Sequence, residues 1–365
     1  MANKWKFKVF RATDTTTLDE IYPSQSFASD ETMRVGNTVS SSLISGGPYQ
    51  TISLVKFGTW ASESAYVHAS LRIRAANVQY RDFSTNSLTV GFISRSTETF
   101  INGRGRRDSV PATNRGTTWA FSNSKNATAW SANGFPTQSN TDHVTSFTVS
   151  ESSDIDVNVS LAYGQSSYHN GTMDCISIHN QFGDVPGTPL NTGTIEFYSA
   201  ETHTIYQPEL WVYKSVLSSG TAWPAGVSVD GTIDLTDDVI IYNTNLKHKY
   251  NYGNVPTFRV NVRPRYETPS YGTSSDTPTV WYLPSGSTFN FKDVASGDLV
   301  IPEVFESSSQ YGAAMEFEAD TKGHFIKDLP DNMFFPNRLY QIVVNVRSAS
   351  YYETFVLPET FKFEL

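Results

Sequence analysis

Alternation with a period of two recurs along almost the whole chain and restricts it to sheets. In "DIDVNVSL", Ile155, Val157, Val159 and Leu161 fall on one side, and Asp154, Asp156, Asn158 and Ser160 on the other. Successive side chains of a strand point to opposite faces, so such a segment offers one face to a core. "TFRVNVRPRY" sets Phe258, Val260 and Val262 against Arg259, Asn261 and Arg263, and "RLYQIVVNVR" aligns Tyr340, Ile342, Val344 and Val346. No long stretch carries apolar residues at helical spacing. The chain reads as all-β.

Composition agrees. A hydrophobic share of 38%, an aromatic share of 13% and only 17% charged residues fit sheets with long decorated loops. A net charge of −9 argues against general nucleic-acid binding, which needs a basic surface. One cysteine excludes an internal disulfide framework and a cysteine-rich zinc site, so buried area must hold the fold. The start, "MANKWKFKVFRA", lacks the apolar core of a signal peptide, and no run approaches the roughly 20 apolar residues of a membrane span. Synthesis in a cytoplasm is expected, and the triplets at Asn126, Asn158 and Asn170 then carry no glycan.

At 365 residues the chain is too long for one ordinary sandwich. The boundary is expected in "SVLSSGTAWPAGVSV", where Ser, Gly and Pro follow a strongly apolar strand. That gives a first domain over 1–217, a linker over 218–229 and a second domain over 230–365. The longest irregular region, 94–142, exceeds any hairpin tip; loops of that size are usually functional or ordered by a neighbour. No repeat of 20–50 residues points to a propeller or solenoid.

Catalytic chemistry finds little support. Glu201 and His203, in "FYSAETHTIYQPELWVY", have the types of an acid–base pair but sit in a polar connection between two strands. Cys175 lies near His169 and His179, yet Cys175 and His179 on one strand would stand about 13 Å apart, too far for a thiolate–imidazole pair. A buried, inert thiol is the reading. Asp154 and Asp156 lack the glycine-bearing loop that calcium usually requires and read as a solvated strand face. Nucleophile elbow, phosphate loop and paired-histidine zinc helix are all missing from the sequence. The expectation is no enzyme, no cofactor and no metal.

The basic stretch "SRSTETFINGRGRRDSVPATNRG" is different, because it concentrates Arg95, Arg104, Arg106, Arg107 and Arg115 in an acidic chain. Arginine presents a planar fork suited to carboxylates, and glycines let the backbone come close. Two uses stay open: docking on an acidic protein surface, or a solvated flexible loop. Among loop aromatics, Trp119, Trp130, Phe135 and Tyr168 suit either protein interfaces or stacking on sugars.

A strand, then "FYSAET", then "PELWVY" resembles the close of the DNRLRE-type jelly-roll domain, a family related to carbohydrate-binding modules. The matching positions are Phe197, Tyr198, Ser199 and Glu201, then Pro208, Leu210 and Val212. "TLDEIYPSQSFASDETMRVGN", "TISLVKFG" and "SLRIRAANV" resemble its earlier segments in order, over roughly residues 8–214. The string that names the family is missing, and the arginine-rich insertion is extra. On this resemblance Glu201 is a turn residue.

The second half, with "RPRY" (263–266), "WYLPSG" (281–286), "DLVIPE" (298–303) and "FPNRLYQIVVNV" (335–346), resembles the companion domain of structural proteins from contractile-tailed bacteriophages. Together the resemblances imply an N-terminal jelly-roll β-sandwich followed by a smaller, immunoglobulin-like β-sandwich. They imply a non-enzymatic virion component of tail, baseplate or neck. It would be present in several copies, bound to other virion proteins and not to nucleic acid or membrane. The alternative is an adhesion module that stacks Trp119 and Trp130 on host-surface glycans.

Overall fold

The computed structural model describes residues 7–38, 49–57, 66–79, 87–94, 101–107, 116–130, 141–148, 154–159, 173–180, 193–214, 239–254, 256–266, 281–284, 287–302, 313–318, 323–348 and 351–365. The protein is all-β. Among the described residues there is no α-helix, and the 3₁₀ turns at Ser124–Asn126 and Asp331–Met333 span three residues each. The chain divides into two compact units, one of Val9–Val212 and one of Tyr213–Leu365 with Met1–Lys8. The expected linker, 218–229, lies outside the described residues.

In the first unit the strands are β1 (Phe7–Asp19), β2 (Thr32–Thr38), β3 (Tyr49–Phe57), β4 (Tyr66–Gln79), β5 (Ser87–Ser94), β6 (Phe121–Asn123) and β7 (Thr128–Ala129). They continue as β8 (Thr141–Thr148), β9 (Asp154–Asn158), β10 (Met173–Asn180), β11 (Gly193–Tyr198) and β12 (Glu209–Lys214). Hydrogen bonding runs β1-β12-β4-β11-β2-β3 and returns from β3 to β1, so six strands close a ring. β10, β5 and β8 extend the sheet from β3, and β9 adds to β4. The ring of strands encloses a core, an arrangement consistent with the expected β-sandwich, its long strands β1 and β4 taking part in pairing on both sides.

Long strands make this closure. β3 pairs with β1 through Thr51–Phe57, while it meets β2 through Tyr49–Thr51 and β10 through Ser53–Val55. Closing a sheet satisfies backbone groups that an edge would leave open. The alternation sets the core: Ile155, Val157 and Val159 are buried with Met33, Val35, Leu71, Ile73, Ile195, Phe197, Leu210 and Val212. Leu161 lies outside the described residues.

The second unit has β13 (Val239–Asn243), β14 (Lys249–Asn251), β15 (Phe258–Pro264), β16 (Thr288–Asp293), β17 (Glu316–Glu318), β18 (Gly323–Ile326), β19 (Leu339–Ser348) and β20 (Tyr351–Glu364). They form two four-stranded sheets, β13-β15-β18-β17 and β14-β20-β19-β16. The sheets face each other across aromatic rings. Phe258 of one lies 5.1 Å from Phe361 and 5.8 Å from Phe291 of the other, centroid to centroid. Phe334 stacks on Phe363 at 4.7 Å and contacts Phe291 at 5.0 Å. Such pairs add about 0.5–1.5 kcal/mol each beyond burial, which suits a small domain without disulfides.

Candidate functional site

The described parts of the arginine-rich region lie against their own sheet. Two described pieces, 101–107 and 116–130, cross at a pair of glycines. Gly116 has φ +100, and a Cβ there would lie 2.4 Å from Gly103 Cα, so only glycine allows the crossing. Thr117 joins the pieces. Its N–H donates to Ile101 O at 2.8 Å, its hydroxyl accepts from Ile101 N at 2.8 Å, and that hydroxyl donates to Ser122 O at 2.8 Å. Ser124 caps Gly116 O with its hydroxyl at 2.8 Å, and Ala120 N donates to Pro23 O at 2.8 Å.

Apolar burial holds this assembly down. Trp130 is only 3% exposed and packs with Leu18, Ile52, Leu54 and Cys175, while half-buried Trp119 packs against the same group. The Trp130 indole N–H donates to Thr118 O at 2.9 Å. This explains why Ile52, Ser53, Leu54 and Val55 of β3 are all buried: Val55 looks into the main core, and Ile52 and Leu54 lie under the tryptophans. The expectation of Trp130 as a sugar-stacking platform is corrected, because stacking needs an open ring face. Phe135 and Tyr168 lie outside the described residues.

The arginines divide by role. Arg107 anchors: its backbone N–H donates to Asp30 Oδ1 at 3.0 Å, and its Nη2 lies 3.6 Å from Asp19 Oδ2. Alongside, Ser29 N donates to Gly105 O at 3.0 Å, and Asn102 Nδ2 to Asp14 Oδ1 at 2.6 Å. Burial pushes the Asp19 carboxyl above its ordinary pKa, against the Ile21 N–H and the charges of Arg107 and Arg34. Arg104 and Arg106 are exposed and have no ion-pair partner among the described residues. Arg95 and Arg115 lie outside the described residues.

Residues 199–207 answer the question of Glu201 and His203. Ser199 is buried; its N–H donates to Glu31 O at 3.0 Å and its hydroxyl to Asp30 O at 2.6 Å. Glu201 N donates back to Ser199 Oγ at 3.0 Å, leaving the Glu201 side chain exposed at a turn. His203 is 87% exposed and 3.6 Å from Glu31 Oε1, an open surface contact with no enclosed reacting centre. Tyr206 closes the connection, stacked under Arg74 at 3.9 Å and beside Tyr198 at 5.3 Å. Glu209, which the sequence did not single out, is buried and accepts from the Trp211 indole at 2.9 Å and from Arg11 Nε at 3.3 Å.

Cys175 forms no disulfide and is buried at 1% exposure in the tryptophan-covered group. His179 is also buried, on the same strand, and His169 lies outside the described residues. The carboxylate ladder is less solvated than expected. Asp156 pairs across β4–β9 with Arg72, at 3.7 Å and with both side chains mostly covered, and Asp154 stands opposite Arg74 in register. Among the described residues no group of three His, Cys, Asp or Glu side chains would hold a metal.

No protein-family model matches the chain, and no curated protein does. Among solved structures it is similar to Ruminococcus gnavus β-glucuronidase at 8% identity and a TM-score of 0.25, covering 98% of this chain and 45% of that one. Bacteroides uniformis β-glucuronidase 3 gives 8% and 0.21 over 87% and 28%. A DUF4785 family protein from Legionella pneumophila gives 6% and 0.19 over 97% and 65%. The chain spans less than half the length of these two glucuronidases. Likeness at this level says nothing of its chemistry.

Proposed function

We propose that this protein is a non-enzymatic structural component of a contractile-tailed bacteriophage virion, in contact with other virion proteins through the first unit's arginine loop. The observation that carries the reading is the anchored loop. Arg104 and Arg106 project, unpaired among the described residues, from a base fixed by Thr117, Arg107 and the buried Trp130. A side chain held on a rigid base loses less entropy on docking than one on a mobile loop. Bidentate pairing with acidic residues of a neighbour then supplies specificity. The resemblance of "RPRY", "WYLPSG", "DLVIPE" and "FPNRLYQIVVNV" to phage structural proteins supports the setting.

Mass spectrometry of purified particles tests the setting, and the double substitution Arg104→Glu/Arg106→Glu tests the surface. The chain is expected in several copies per particle, and incorporation of the variant is expected to fall at least tenfold while its melting temperature holds. Absence of the chain from particles, or normal incorporation of the variant, refutes the reading.

A further inference from the structure

We propose that the outer face of the β16–β19–β20 sheet carries a cleft that binds an anionic sugar residue. This site is separate from the arginine loop and does not depend on the assembly reading. Strand alternation generates it: Phe291 and Val344 face the aromatic core, which turns Lys292, Val343 and Asn345 to the opposite side. In the register, Asn345 stands opposite Thr354 and Val343 opposite Val356.

The residues after β16 turn back over this face and give the cleft a wall. Asp293 N donates to Asp298 O at 2.9 Å, and Val300 N to Phe291 O at 2.8 Å. The Asn290 amide clasps Ile301, accepting from its N–H at 2.9 Å and donating to its carbonyl at 3.0 Å. Arg338 holds Asp293 through both carboxylate oxygens, with Nη2 2.8 Å from Oδ1. Val343 and Asn345 therefore form a covered floor, with Leu299 and Lys292 on one side and Tyr352 and Val356 on the other. The space is about 470 Å³, within the ~300–1,000 Å³ of small-molecule sites.

Its chemistry suits a sugar with a negative charge. A pyranose ring presents apolar C–H faces and a rim of hydroxyls, so it needs flat or aliphatic surface and a few fixed polar groups. Tyr352 is 55% exposed and carries the Arg347 guanidinium 5.3 Å from its ring centre, which limits its swing. Leu299 and Val356 are exposed beside it. The Thr354 hydroxyl donates to Asn345 Oδ1 at 2.8 Å and lies 3.4 Å from the Tyr352 hydroxyl, so its oxygen keeps one lone pair to accept from a sugar hydroxyl. The Lys292 ammonium lines the cleft and has no hydrogen-bond or ion-pair partner among the described residues. The three N–H donors of this one cation, beside aliphatic surface, favour an anionic sugar over a neutral one.

The test uses the full chain on an array of uronate-, sialate- and phosphate-substituted oligosaccharides, their neutral counterparts, and an acidic peptide of matched charge. Anionic saccharides are expected to be retained over both controls, and the charged group retained best tells carboxylate from phosphate. Tyr352→Ala should weaken retention about tenfold, and Lys292→Met should abolish the preference over neutral sugars. Both positions face outward, so circular dichroism should be unchanged. Failure to retain any anionic saccharide overturns the proposal. So does equal retention of the acidic peptide, or binding that both substitutions leave intact.

Discussion

His324 sets a pH limit on the second unit. It is 1% exposed on β18, between the rings of Tyr282 and Phe317 at 6.3 and 5.3 Å, and its Nε2 accepts from Leu283 N at 3.0 Å. That bond requires an unprotonated Nε2. Burial lowers the imidazole pKa from 6.5 to about 4. The unfolded chain therefore binds a proton that the folded chain refuses between those values. The contribution is whole above pH 6.5 and is lost as pH falls toward about 4, a total of about 3 kcal/mol. Between pH 7 and pH 5 the loss is about 2 kcal/mol. Urea denaturation at both pH values, on the wild type and on His324→Gln, isolates this share. Glutamine can accept from Leu283 N without titrating, while Asp293, Asp19 and His68 contribute equally to both proteins. The variant is expected to start less stable by about 1 kcal/mol and to lose about 2 kcal/mol less on acidification. Identical pH dependence of the two proteins refutes the reasoning.

Gly116→Ala forces a Cβ against Gly103 Cα and should cost ~2 kcal/mol or more through strain at φ +100; hydrogen exchange of 101–107 and 116–130 should rise, and unchanged protection would count against the crossing. Trp130→Ala removes the cover of Leu18, Ile52 and Leu54 and should cost about 3–5 kcal/mol, read as a fall in melting temperature. Asp293→Ala leaves Arg338 and two turn N–H groups without their acceptor and should cost about 2–3 kcal/mol at neutral pH. Burial raises the Asp293 pKa, but the bonds from Arg338, Ser296 and Ala295 outweigh it and hold it below 3.8. Its contribution is therefore present at neutral pH and fades as pH falls below the ordinary carboxylate range.

The strands were legible because alternation is a local property. Ile155, Val157 and Val159, or Phe258, Val260 and Val262, announce a buried face within a few residues, and each is buried. Ring closure was not legible, since β1 meets β3 across some forty residues and no local pattern records that partner. Nor was the role of Trp130. It sits in a polar, turn-rich stretch, and its burial follows from the apolar outer face of β1, β3 and β10, which only the sheet assembles. The glycines of "GRGRR" carried half of a signal: they let backbone approach closely, and the approaching backbone is Gly116. Asp19, Asp30 and Thr117 gave no sign in sequence, because a carboxylate or hydroxyl becomes an anchor only through what folding places beside it.

The most direct test of the assembly reading is cryo-electron microscopy of the intact particle at side-chain resolution. It should place carboxylates of a neighbouring subunit within about 4 Å of the Arg104 and Arg106 guanidinium groups. Both arginines facing solvent in every copy, or particles without this chain, would contradict it.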